Sequence, residues 1–103
     1  MNPIKKAGTK IMLDRERIIS FDFNALVEIE ERYGSLEKGL SRLENPKMKD
    51  IRYLLYLTLK GDDETLTEEK TGKLITLKNM GEVVEALSQS LEESLPEVDD
   101  EKN

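Results

Sequence analysis

The side chains most suited to chemistry in this chain are carboxylates, and many of them occur as adjacent pairs. The 103 residues include no His and no Cys, which removes the commonest general base, the commonest zinc ligands and any thiol nucleophile. The adjacent pairs include Glu30–Glu31, Asp62–Asp63, Glu68–Glu69 and Glu92–Glu93. Acid–base catalysis needs two carboxylates in different environments, one of them desolvated, and neighbours on a polar helix face do not provide this. We therefore predict a protein that is not an enzyme and has no catalytic residues.

One segment is more similar to a metal-binding pattern than the rest of the chain: Gly61-Asp62-Asp63-Glu64-Thr65. A calcium-binding EF-hand loop needs oxygen ligands at alternate positions, a central Gly and a closing Glu. Here the Gly precedes the acids, and no Gly follows them at the needed spacing. We predict a solvated turn before a helix, with no metal and no cofactor.

Charge is distributed unevenly along the chain, whose net charge is −6. Residues 1–20 carry five basic and two acidic side chains, whereas residues 82–103 carry one basic and eight acidic ones. This polarity favours head-to-tail self-association or a basic partner. The acidic total argues against nucleic-acid binding. No apolar run reaches the length of a membrane span or a signal peptide, so we expect no membrane contact and a cytoplasmic location.

Two short runs with alternating apolar residues predict an N-terminal β-hairpin. The strands are expected at Lys10–Asp14 and Arg17–Phe21, because alternation over four to eight residues is typical of a half-buried strand. In the second run, Ile19, Phe21 and Phe23 are expected to share one face.

Helical spacing and capping residues predict four to five short helices after the hairpin. Their predicted bounds are Asp22 or Asn24 to Gly34, Ser35 to Asn45, residues 48–60, Thr67 to about Leu77, and, after Asn79 and Gly81, a last helix that ends at Pro96. The fold class is therefore α+β, mostly α, with the hairpin packed on a helical bundle. We predict a flexible lead-in (1–9), a single domain (10–96) and a disordered acidic tail (97–103).

The predicted core is lean, which leaves apolar helix faces for a partner. Hydrophobic residues make up 37% of the chain and there is no Trp. The helix at 48–60 is apolar around most of its surface, and the last helix has an apolar stripe beside the acidic tail; either face could also be ordinary core. The candidate partner-binding residues are Tyr53, Tyr56, Leu57, Val83, Val84, Leu87, Leu91 and Leu95.

Three segments follow one another in a recognisable order. They are Ile19–Leu26 with Glu28–Glu31, Leu66–Glu69 with Gly72, Leu74 and Ile75, and Val83–Leu87 with Leu91, Leu95 and Pro96. In order and spacing they resemble the small tail assembly chaperones of long-tailed phages and the related proteins of gene transfer agents. The resemblance covers about residues 10–96.

The resemblance implies an α+β fold with a small β element on a helical bundle. It also implies a non-enzymatic assembly factor that binds the tape measure protein while the tail tube polymerises, recruits tail tube protein and forms a homo-oligomer. Such a protein, encoded by a phage or prophage, would act in the cytoplasm of the bacterial host and be absent from the mature virion. Many members are made in two lengths. The family has no catalytic residues to transfer to this chain.

Two other functions remain open from the sequence. One is a structural virion component, such as a head–tail connector or completion protein, which would stay in purified particles. The other is a small DNA-binding regulator, since the predicted helices at 48–60 and 67–77 flank a tight turn. Glu68 and Glu69 beside Lys70 and Lys73 make the second helix unsuited to reading DNA.

Overall fold

The computed structural model of the protein describes residues 8–95 and has an α+β, mostly α fold, as predicted. The predicted tail (97–103) lies outside the described residues, as does most of the predicted lead-in; Thr9, its last residue, instead begins a strand. Among residues 8–95 the elements are β1 (Thr9–Met12), β2 (Glu16–Ile19), α1 (Phe23–Tyr33), α2 (Leu36–Leu40), a 3₁₀ helix (Ser41–Glu44), α3 (Met48–Leu59), α4 (Glu68–Gly72) and α5 (Met80–Ser94).

The hairpin pairs β1 with β2 in antiparallel register, with Thr9 opposite Ile19 and Met12 opposite Glu16. Its strands begin and end one or two residues earlier than predicted. Ile19 and Phe21 are buried, but Phe23 is 77% exposed, so the prediction that it shares their face was wrong. The backbone becomes helical at Phe23, and the side-chain period changes there from two residues to 3.6.

Local caps set both ends of α1 and the start of α2 as predicted, but α2 ends at Leu40 and a 3₁₀ helix replaces the rest of the predicted helix. The Asp22 carboxylate accepts a hydrogen bond from the Ala25 N–H at 2.8 Å, and the Ser35 hydroxyl caps α2 in the same way. Gly34 ends α1 with φ at +94° and donates its N–H to the Glu30 carbonyl. Only glycine adopts that left-handed conformation without steric cost.

Helix α3 lies at the centre of the fold. It contacts α1, α4, α5, β2 and the 3₁₀ helix. Leu54, Leu55 and Leu57 are fully buried with Ile29 from α1 and Ile19 from β2. The single core therefore joins the hairpin to the bundle. Within residues 8–95 the longest helices are too short or too polar to cross a membrane.

Helix α4 is much shorter than predicted, because it ends at Gly72 rather than near Leu77. The Asn79 side chain accepts a hydrogen bond from the Thr76 N–H at 2.8 Å and donates one to the Leu74 carbonyl at 3.0 Å. The Thr76 hydroxyl in turn accepts from the Asn79 N–H. Such side-chain bonds compete with helical ones and favour an irregular connection. Leu77 is consequently held outside any helix.

An ion cluster around a buried arginine attaches the hairpin to the connection between α3 and α4. Arg17 is buried and donates hydrogen bonds to Asp14 at 2.9 and 3.0 Å and to Asp63 at 2.8 Å. Asp63 also accepts from the Thr65 N–H and hydroxyl. In the predicted turn at 61–65, the Asp63 carboxylate thus forms a salt bridge with Arg17 and closes the turn through Thr65. Residues 8–95 contain no group of three or more acids placed to hold a metal ion.

This cluster should make folding stability depend on pH in the acid range. Hydrogen bonds from Thr65 and then from Arg17 hold the pKa of Asp63 well below its ordinary value of 3.8, and Arg17 lowers the pKa of Asp14. The unfolded chain therefore binds more protons than the folded one as the pH falls below 3.8, so the free energy of unfolding decreases there.

Urea titrations from pH 7 to pH 2 check this acid dependence. We expect Asp63→Asn to be less stable than the original chain at pH 7, with the difference narrowing towards pH 2. A difference that stays constant with pH would contradict a stabilising role for the Asp63 charge.

Candidate partner-binding groove

Four of the eight predicted partner-binding residues belong to the protein's own core. Tyr53, Leu57, Val83 and Leu87 are buried. The first two lie on the central helix α3, and the last two lie on the side of α5 that packs against the hairpin and α3. In this fold these four side chains are covered by the protein's own elements.

The other four predicted residues remain accessible, and three of them form a line on α5. Val84 and Leu91 are half-buried and Leu95, the residue after the last helical position, is 51% exposed. Spacings of seven and eleven residues put them on one side of the helix. We call these three residues the α5 strip. Tyr56, the fourth, is half-buried at the end of α3.

The surface of the described residues has an apolar groove that the sequence did not reveal. It encloses about 520 Å³ between the first half of α3 and the irregular connection from α4 to α5. We call it the groove. It is lined by Met48, Lys49, Ile51, Arg52, Glu69, Gly72, Lys73, Ile75, Thr76, Leu77 and Met80.

The apolar lining of the groove is unusually accessible. Leu77 is 81% exposed and Met48 is 66% exposed, while Ile75 and Met80 are half-buried and Ile51 is buried. Methionine side chains adapt their shape to different apolar partners. An accessible apolar hollow lined by methionines is typical of a protein-binding surface. The prediction of a helix through Leu77 concealed it, since that helix would have placed Leu77 on a regular turn.

The charged lining of the groove is mainly basic, in contrast to the acidic chain as a whole. The charged residues that line it are three cations, Lys49, Arg52 and Lys73, and one carboxylate, Glu69. Lys49 and Lys73 form no ion pair within residues 8–95, whereas Arg52 lies 3.8 Å from Glu68. The groove therefore suits an apolar segment that carries acidic side chains.

The wall of the groove formed by α3 is held by a buried carboxylate. Asp50 accepts a hydrogen bond from the Lys47 N–H at 3.0 Å and another from the Tyr33 hydroxyl at 2.9 Å. Burial, and then the bond to Asp50, raise the pKa of Tyr33. Asp50 thus satisfies a free N–H at the start of α3, where a negative charge is favourable.

The segments that carry the family resemblance supply both core residues and helix caps. Thr67 caps α4, as predicted, and Glu68 pairs with Arg32 of α1 at 3.1 Å and lies near Arg52 of α3. At Gly72 an added Cβ would lie 3.1 Å from the Cδ of Arg52, whose half-exposed side chain would have to shift by a few tenths of an ångström. These residues position the groove walls.

Comparison of the chain with protein-family models, with curated proteins and with solved structures returned no match.

Proposed function

We propose that this protein is a tail assembly chaperone of a long-tailed phage or prophage. It binds the tape measure protein without catalysis, brings tail tube protein to it in the host cytoplasm, and is left out of the virion. The ordered resemblance over residues 10–96 supports the family. The single observation that supports binding of an extended apolar client is the exposure of Leu77 and Met48 at the groove.

The groove would act by covering apolar stretches of the client. A helix presenting apolar side chains would bury them against Met48, Leu77 and Met80. Methionines tolerate different client sequences, which suits a chaperone that must bind many positions along one long protein. Repeated weak contacts by several copies would add through multivalency. Arriving tube subunits would then displace the chaperone.

Leu77→Asp should weaken client binding by at least tenfold. Burying one leucine side chain contributes about 1.5–3 kcal/mol, and about 1.4 kcal/mol corresponds to a factor of ten in Kd. The client would be identified by a tagged pull-down from cells expressing the neighbouring late genes, read by mass spectrometry. Titration calorimetry with the recovered client segment then gives Kd for each variant.

Phe23→Asp is the matched control for this substitution. Phe23 is 77% exposed, almost as much as Leu77, but its neighbours Asp22 and Asn24 line a separate hollow with Tyr56 and Lys60, at the opposite end of α3. Circular dichroism should show both variants folded. Equal binding by the two variants would exclude the groove as the client site.

The identity of the recovered partners separates the chaperone from the alternatives. A very long helical protein together with tube subunits supports the proposal. Head or connector proteins, with this chain present in purified particles, would support a structural virion component instead. The DNA-binding alternative has lost its main support, because α4 has five residues and a recognition helix must span a major groove.

A further inference from the structure

Two accessible apolar surfaces of this molecule carry opposite charge. The groove is bordered by Lys49 and Lys73. The α5 strip is bordered by Glu85 and Glu92, which are exposed and, like the two lysines, form no ion pair within residues 8–95. Each surface thus has an apolar centre and a border whose charge is opposite to that of the other surface, so the two surfaces are complementary.

The α5 strip has the form of a helix that binds in a groove. Leu91 and Leu95 lie one turn apart, and Glu92 follows Leu91 on the solvent side. Glu85 and Glu92 are seven residues apart, so they line the same edge of the strip. The carboxyl end of α5 also carries the partial negative charge of a helix C-terminus, and acidic residues there are complementary only to a basic surface.

The strip cannot enter the groove of its own molecule. Met80, the first residue of α5, lines the groove, whereas Leu95 follows the last residue of the same helix. Fifteen helical residues span about 22 Å at 1.5 Å per residue. A straight helix keeps its two ends apart, so the occupant that fits is α5 of another copy.

We propose that the groove binds the α5 strip of a second copy of this chain, through Leu91 and Leu95 on the apolar floor and Glu85 and Glu92 against Lys49 and Lys73. The two patches are different, so the contact is heterologous: an open assembly keeps one free groove and one free strip at its ends, whereas a closed ring uses both. Association is therefore head-to-tail and progressive.

This contact would form whether or not the chain binds a tape measure protein. Where the proposed function also holds, the client and the second copy compete for one groove. Self-association would then cover the apolar lining until a client helix displaces the strip. Loss of the strip should leave client binding intact or strengthen it.

A mixing experiment with two full-length variants tests the proposal. Leu77→Asp disables the groove, and Leu95→Asp disables the strip; both positions are exposed, so both variants should fold. In sedimentation velocity at increasing concentration, the original chain should form progressively larger species and each variant alone should stay monomeric. An equimolar mixture should form a 1:1 heterodimer and nothing larger, because one intact groove and one intact strip remain.

The proposal is overturned by a monomeric original chain at the highest concentration reached, by continued association of Leu95→Asp, or by a mixture that stays monomeric. A charge exchange provides a second measurement. Lys73→Glu and Glu92→Lys should each weaken association by about tenfold, because each substitution replaces a favourable charge pair with a like-charge contact. Combined in one chain, they should restore it.

Client titration distinguishes failure of this proposal from failure of the proposed function. Leu77→Asp should lose both client and self-association, whereas Leu95→Asp should lose self-association alone. A chain that binds the client but never associates overturns only the self-docking contact, and one that associates but captures no tape measure protein overturns only the chaperone function.

Discussion

Leu87→Asp should abolish the folded state rather than remove a partner contact. Leu87 is fully buried on the side of α5 that packs on the hairpin and α3. The substitution loses about 2–3 kcal/mol of apolar burial and places a carboxylate where no partner compensates it. We expect the free energy of unfolding to fall by more than about 4 kcal/mol, a large part of the 5–15 kcal/mol typical of a small domain.

Thermal unfolding followed by circular dichroism measures this effect. Leu95→Asp is the matched control, since the same change is made on the same helix at a residue that is 51% exposed. It should keep the cooperative transition within a few degrees of the original chain. A folded Leu87→Asp protein would show that this face of α5 is dispensable for the core. Substitution at Leu87 is therefore unsuitable as a test of client binding, although the periodicity of the sequence makes it an obvious choice.

Arg17→Ala should be the most destabilising change of a charged side chain in the hairpin. The guanidinium is buried and bonded to Asp14 and Asp63. Removing one partner of a buried ion pair typically costs 3–5 kcal/mol. Asp14 is 46% exposed and water can solvate it again, so we expect a loss of about 2–3 kcal/mol.

Arg15→Ala is the control that distinguishes the effect of a buried arginine from the effect of losing one positive charge. Arg15 also pairs with Asp63, at 3.6 Å, but its side chain is 56% exposed. Exposed pairs contribute little, so its loss should cost about 0.5 kcal/mol or less. Urea unfolding of the two variants at pH 7 gives the comparison. Equal losses would mean that the cluster stabilises the fold through overall charge and not through the buried guanidinium.

The capping residues of the helices were the most predictable part of the fold. Asp22, Gly34, Ser35 and Thr67 all cap helices where the sequence indicated. A cap depends on a hydrogen bond between residues three or four positions apart, and that information is present in any short segment. Helix α4 was mispredicted because Thr76 and Asn79 close a local turn whose geometry competes with the helix.

Accessibility was the least predictable property. Leu57 and Leu77 are both leucines in predicted helices, yet Leu57 is in the core and Leu77 is the most exposed large apolar side chain among the described residues. Periodicity identifies which residues share a face but not which element covers that face. The same holds for charge, since Lys49, Arg52 and Lys73 meet at one groove only after α3 and α4 pack together.

The sequence by itself determined the α+β class, the order of the elements and the capping residues, because these depend on interactions between neighbours in the chain. Tertiary structure alone decided that half of the predicted binding residues are core, that Arg17 is a buried link between distant segments, and that a basic apolar groove exists. Those properties depend on contacts between residues far apart in sequence, and the free energy of such contacts depends on how much of each side chain is removed from water.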